Sequence, residues 1–370
     1  MTSTVGGMTE VLSRRAVGRA TLARQFLLER TTRPVADVVS HLVGLQAQTP
    51  HTWYTGLWTR IADFRPADAA DLLRDRGLVR TALMRSTIHL VTPADALGLR
   101  PLVQPALDRD LFHNHTHRKD VDGLDVDAVV AAGREVLAER PRTNKELGAL
   151  LHETWPDRAP AALAYAVRCL VPLVQVPPRG LWGRSGPIAH TSVETWLGSG
   201  VTDRPSATDM VRRYLAAFGP ATVNDVQTWA RLTRLREVVE QLPLVRFTDE
   251  DGQELFDLPD APRPDEDTPA PVRFLYDFDN LLLSHADRRR VVTADVKARQ
   301  YNPHGPVPQF FLVDGVTAGD WRVVRTKESA TLELRPFHRL PAPDEVEREG
   351  SALLAFLAPD VPAHDVRILH

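Results

Sequence analysis

LDVDAVVAAGREVLAERPRTNKELGALLHETWPDRAPAALAYAVRCLVPLVQVPPRGLWGRSGPIAHT (residues 124–191) lays out the unit from which the chain is built. Apolar positions at helical spacing predict a helix through VDAVVAAGREVLAER. Thr143 and Glu146 then stand at capping-box spacing, so a short helix starts at TNKE. A further helix is expected over about 158–171. LVQVPPRGLWGRSGPIAHT next alternates apolar and polar residues around Arg179-Gly180 and Gly183, as a β-hairpin does. Helix, short capped helix, helix and hairpin is the order of a winged helix.

The same order appears on either side. Upstream, SRRAVGRATLARQFLLER (13–30) predicts a helix, Pro34 opens a second that Gly44 ends, and Thr49-Pro50 is expected to cap a third through WYTGLWTRIADF. LVRTALMRSTIHLV (78–91) supplies the wing. Downstream, ATDMVRRYLAAFG (207–219), ATVNDVQTWARL (221–232) and RLREVVEQL (234–242) lead into LVRFTDEDGQELFDL (244–258), turning at Asp251-Gly252. The Pro/Asp-rich stretch PDAPRPDEDTPAP (259–271) is expected to be a linker or mobile loop. Beyond it, a hairpin at Asp314-Gly315, a strand ATLELRPF and a helix over about 344–356 predict a small β-rich module. The expected fold class is α+β, with three tandem winged-helix units at 11–95, 120–195 and 204–260 and a C-terminal module at 270–370.

Composition bounds the function. With 43% hydrophobic and 25% charged residues the chain is an ordinary globular protein. A net charge of −3 argues against coating nucleic acid by bulk electrostatics, and only local basic grooves remain open. The polar opening MTSTVGGMTE carries no signal-peptide core, and no apolar run approaches the roughly 18 residues that span a bilayer. A cytoplasmic, membrane-free chain is expected. Its one cysteine, Cys169, lies in an apolar segment, which removes disulfides and cysteine metal clusters.

Gln46-Ala47-Gln48 falls between two predicted helices. In an extended link residues i and i+2 point to the same side, so two carboxamides converge on one small target. The spacing equally suits glutamines that cap nearby backbone groups. In the wing, Arg85, Thr87 and His89 at i, i+2 and i+4 share one face of a strand. Arg288, Arg289 and Arg290 form a triplet suited to phosphate, although a charge run is often only a solvated face. His113, His115 and His117 in HNHTH lack the further ligands and spacings of a zinc site. No P-loop, dinucleotide fingerprint, GxSxG or HExxH occurs, so neither metal nor cofactor is expected.

HLVGLQAQTPHTWYTGLWTRI (41–61), RTALMRSTIHLVTPAD (80–95) and FDNLLLSHADRRRVV (278–292) together resemble the winged-helix DNA glycosylases of the AlkZ/AlkX superfamily. QAQ matches the Q-aliphatic-Q motif of its AlkZ side, with Ala47 smaller than the usual middle residue; AlkX-type members resemble it with Asp in the second place. The resemblance implies a monofunctional glycosylase in which Gln46 and Gln48 hold the attacking water and face the sugar's developing charge. It further implies action on double-stranded DNA that carries N7-alkylguanine or its interstrand crosslink, as self-resistance to an alkylating antibiotic such as azinomycin B; three tandem units in one chain without a sustained heptad suit a monomer. Arg85 is then expected on phosphate, His89 near the lesion, Thr87 among the DNA contacts, and Arg288, Arg289 and Arg290 on the backbone. The rival readings are a tandem winged-helix regulator without catalysis and a resistance protein that sequesters the drug.

Overall fold

The computed structural model describes residues 10–113 and 115–369. The opening MTSTVGGMT and Asn114 of the histidine string therefore lie outside the described residues. Helices and sheets are mixed throughout, an α+β arrangement.

In the middle segment the expected order is present: helices Val126–Glu139, Asn144–Thr154 and Pro160–Leu170, then strands Leu173–Gln175 and Ala189–Ser192. The capping box closes as its spacing requires. Thr143 Oγ1 accepts the Glu146 N–H at 3.2 Å, and the Glu146 carboxylate accepts the Thr143 N–H at 2.8 Å. The downstream segment gives helices Ala207–Phe218, Val223–Ala230 and Arg236–Glu240, then strands Val245–Asp249 and Glu254–Asp257.

The segments interlock through their sheets. Leu45–Gln46, Ile88–Val91, Val79–Ala82, Leu173–Gln175, Ala189–Ser192 and Arg142–Thr143 lie side by side in one antiparallel six-stranded sheet, so the first two hairpins are parts of a single surface. Val11–Leu12 pairs in parallel with Val245–Asp249, tying the start of the described chain to the third hairpin. A five-stranded sheet from Arg273–Phe274 to Ala363–Ile368, covered by the helix Pro343–Leu357, forms the C-terminal end around Phe274, Phe311, Trp321 and Leu353.

Three expectations need correction. Stretch 259–271 is strapped down: Arg24 donates to the Pro262 carbonyl at 3.1 Å, Arg15 to Glu266 O at 2.8 Å and Arg19 to Thr268 O at 2.6 Å. Its prolines set the path, and the arginines of helix Arg14–Arg24 satisfy its carbonyls. Thr49 does not cap a helix, because the helix starts only at Trp53 and the Thr49 hydroxyl donates to Asp277 at 2.5 Å. The wing is broken as well: Met84–Ser86 is a tight turn between two four-residue strands, with Arg85 and Ser86 both at φ 58°. Arg85, Thr87 and His89 consequently do not line one strand face.

The C-terminal segment is bolted to the first by a buried pair. Asp279 accepts two bonds from Arg60, at 2.7 and 2.8 Å, with both side chains fully buried. Gly56 permits this approach, since a Cβ there would meet the Tyr276 ring at 2.7 Å.

Candidate active site

Gln46 ends a two-residue strand whose neighbour is Ile88–Val91, and it stands opposite His89. Pairing continues past it, since the Ala47 N–H donates to the Ile88 carbonyl at 2.7 Å. The turn into this strand depends on Gly44 at φ 92°, a conformation that glycine adopts without a Cβ penalty. Gln46 is 4% exposed whereas Gln48 is exposed.

Both glutamines reach the same short turn. Gln46 Oε1 accepts from Arg85 Nη2 at 2.8 Å, and Gln48 Oε1 accepts from the Ile88 N–H at 3.2 Å. A guanidinium and a backbone N–H are donors only, so each amide oxygen is identified without ambiguity. Each oxygen keeps one lone pair. After Gln48 the chain is pinned by Asp277, which accepts the hydroxyls of Thr49 and Thr52 at 2.5 and 2.6 Å.

Two arginines without carboxylate partners among the described residues hold the QAQ segment. Arg85 also donates to the Trp229 carbonyl at 2.9 Å, and Arg80 donates to the Ala47 carbonyl at 2.8 Å. Burial pushes each guanidinium down to about 10, with Arg179 adding to the effect at Arg80, so both stay charged at neutral pH. Arg80 is 1% exposed and leaves Nε and Nη1 unpaired. The positive field is thus built into the backbone support of the motif.

The remaining predicted residues divide. Arg85 stands at the motif, half-buried, with its guanidinium bonded to Gln46 and the Trp229 carbonyl. Thr87 closes the turn through its hydroxyl on the Met84 carbonyl. His89 is buried and held at Thr87 O, and burial together with Arg85 pushes its pKa down to about 3. It is a buried, neutral packing group and not the exposed wing residue that the alternation predicts. Within the arginine triplet, Arg288 is exposed, with one long bond to the Leu282 carbonyl. Arg289 is held by Asp287 and Asp251, both at 2.6 Å. The Arg290 side chain is only 8% exposed and lies against Asp225 and the Pro220 carbonyl, so it is a strut between segments. His117 packs on the Tyr165 ring and His113 bonds the Arg109 carbonyl; no group of three potential metal ligands occurs among the described residues.

A family model described as DNA glycosylase AlkZ-like matches residues 39–356, which takes in the glutamine pair, its turn and the arginine triplet. The chain belongs to the AlkZ-like DNA glycosylase family. An interstrand DNA cross-link repair glycosylase of Streptomyces sahachiroi is 26% identical, aligned over 89% of this chain and 92% of its own length. The solved structure of Streptomyces sahachiroi DNA glycosylase AlkZ superposes with a TM-score of 0.80 at 24% identity, covering 97% of this chain and all of that one. As an AlkZ-like DNA glycosylase the chain is an enzyme acting on DNA. No helix among the described residues is long and apolar enough to cross a membrane.

Sequence reasoning missed the groups that frame the AlkZ-like motif. Arg80 looked like one more strand residue, and Asp277 lies 225 residues beyond Thr52, whose hydroxyl it accepts. No local pattern marks either of them.

Proposed function

We propose that this chain hydrolyses the N-glycosidic bond of N7-alkylguanine in duplex DNA and unhooks interstrand crosslinks made of such adducts, with Gln46 and Gln48 as its catalytic pair. N7 alkylation places a fixed positive charge on the base, so the departing base leaves neutral and needs no strong acid. What remains is to place a water at C1′ and to stabilise the sugar cation, which oriented dipoles do without ionising.

The observation that carries the proposal is that two donor-only partners on one turn fix both amide oxygens. This also divides the labour. Gln46 Oε1 faces the Arg85 cation, which opposes positive charge on a nearby sugar, so Gln46 holds the water on its remaining lone pair. Gln48 is exposed, and its oxygen takes only a neutral N–H. It is the better placed of the two to face the oxocarbenium-like sugar. The partner is double-stranded DNA, met by a monomer.

The test is single-turnover base release from N7-methylguanine duplex by Gln46→Ala and Gln48→Ala. Each rate should fall roughly 10- to 1000-fold with little change in DNA affinity. The double variant should lose less than the product of the two, because both side chains serve one water. Wild-type rates in both single variants would return the glutamines to loop capping.

A further inference from the structure

The sequence puts phosphate contacts at Arg85 and at Arg288–Arg290; in the structure Arg85 is bonded to Gln46, Arg289 is paired at the surface with Asp287 and Asp251, and Arg290 is buried against Asp225. A different set of cations is left open. The helix Gln104–His113 presents Arg109 and, one turn on, His113; both line an open groove with Asp110 and Arg231. Arg231 caps the helix Val223–Ala230 in the left-handed conformation, φ 56°. Among the described residues neither Arg109 nor Arg231 has a carboxylate within ion-pair distance. Asp110, the one acid on the wall, already accepts the hydroxyls of Ser86 and Tyr165 through Oδ2, at 2.8 and 2.7 Å. His113 Nδ1 is taken by the Arg109 carbonyl, which leaves Nε2 as its free ring nitrogen.

The groove adjoins the catalytic turn at two points. Ser86, within the turn, bonds Asp110, and Arg85, beside it, bonds the carbonyl of Trp229, two residues before Arg231. One guanidinium therefore separates Gln46 from the helix that carries Arg231. Phosphates on a strand advance about 3.4 Å along the duplex axis per nucleotide. We propose that Arg109, His113 and Arg231 form a binding site for a DNA phosphodiester lying within a nucleotide or two of the base to be removed. Two arginines offer the forked donors that match phosphate oxygens, and His113 adds a third donor when protonated. The site rests on the glycosylase reading above only for the position of the lesion.

The test measures binding of an undamaged duplex between about 50 and 300 mM salt. Arg109→Ala and Arg231→Ala should each flatten the slope of log affinity against log salt by about 0.9, and weaken binding about eightfold at about 0.1 M, the effect of one phosphate contact. Arg109→Lys and Arg231→Lys, which keep the charge, should hold the slope. Arg289→Ala, already neutralised by two carboxylates, should leave it unchanged. Single-turnover base release at saturating DNA should stay within about twofold of wild type, as expected for groups that bind ground and transition state alike. Unchanged slopes in both alanine variants would overturn the site, as would a chemical step lost at saturation. Flattened slopes in a protein that releases no base from alkylated duplex would instead sink the reaction proposed above and leave the phosphate site standing.

Discussion

Replacing Arg85 by Met separates two roles that the sequence could not distinguish. Met fills similar volume and removes both donors, leaving Gln46 Oε1 and the Trp229 carbonyl without the bonds now made at 2.8 and 2.9 Å. A hydrogen bond to a charged group contributes about 1.5–3 kcal/mol. If that bond holds the Gln46 carboxamide in its working orientation, its loss slows chemistry roughly 10- to 150-fold. Single-turnover base release under saturating DNA reads this directly, with the salt dependence of binding measured in parallel. The expected pattern is a slower chemical step, an unchanged salt slope and no further loss when Arg85→Met is combined with Gln46→Ala, because the arginine acts through the glutamine. A wild-type chemical rate with a slope reduced by about 0.9 would refute the reasoning and restore Arg85 as a phosphate contact.

Asp279→Ala leaves Arg60 buried without its counter-charge and should cost about 3–5 kcal/mol in denaturant unfolding, whereas a loss below about 1 kcal/mol would mean the segments are held by apolar packing alone. Stability should also fall in acid. Burial holds His89 at about 3 and His190 at about 4, below the 6.5 of a free imidazole, so the unfolded chain binds protons that the folded chain refuses. The stability present above pH 6.5 is thus lost progressively as pH falls toward 4, at about 2.5 kcal/mol per unit for the two groups. Histidine titrations by NMR check it, and midpoints near 6.5 for both residues would rule it out.

Where local chemistry decides the backbone, the sequence was readable. Thr143 and Glu146 close their capping box, and the Asp314-Gly315 pair turns its hairpin with both residues at positive φ. The α+β class and the order of helices and hairpins follow from signals of this kind. The wing misled because MRSTIHL alternates as a strand does, while the acceptors that hold Arg85 in a turn stand 39 and 144 residues away. Stretch 259–271 misled for a similar reason: its composition suits solvent, and the arginines that fasten it lie on the first helix. In the candidate site the glutamine pair was visible as a motif. Its supports were not, because Arg80 and Asp277 reach the segment only after distant parts of the chain have packed.

The six-stranded sheet has a bearing on biosynthesis. Val79–Ala82 is an interior strand, and its second neighbour, Leu173–Gln175, leaves the ribosome about 95 residues later. At translation rates of about 5–20 residues per second, the nascent chain carries that edge unpaired for roughly 5–20 s. An exposed edge recruits other strands, so this interval is when the polypeptide is most prone to aggregate or to need a chaperone. The strand carrying Arg80 reaches its final surroundings only once the middle segment has emerged, and the glutamine pair has no free-standing domain from which a shorter enzyme could be cut.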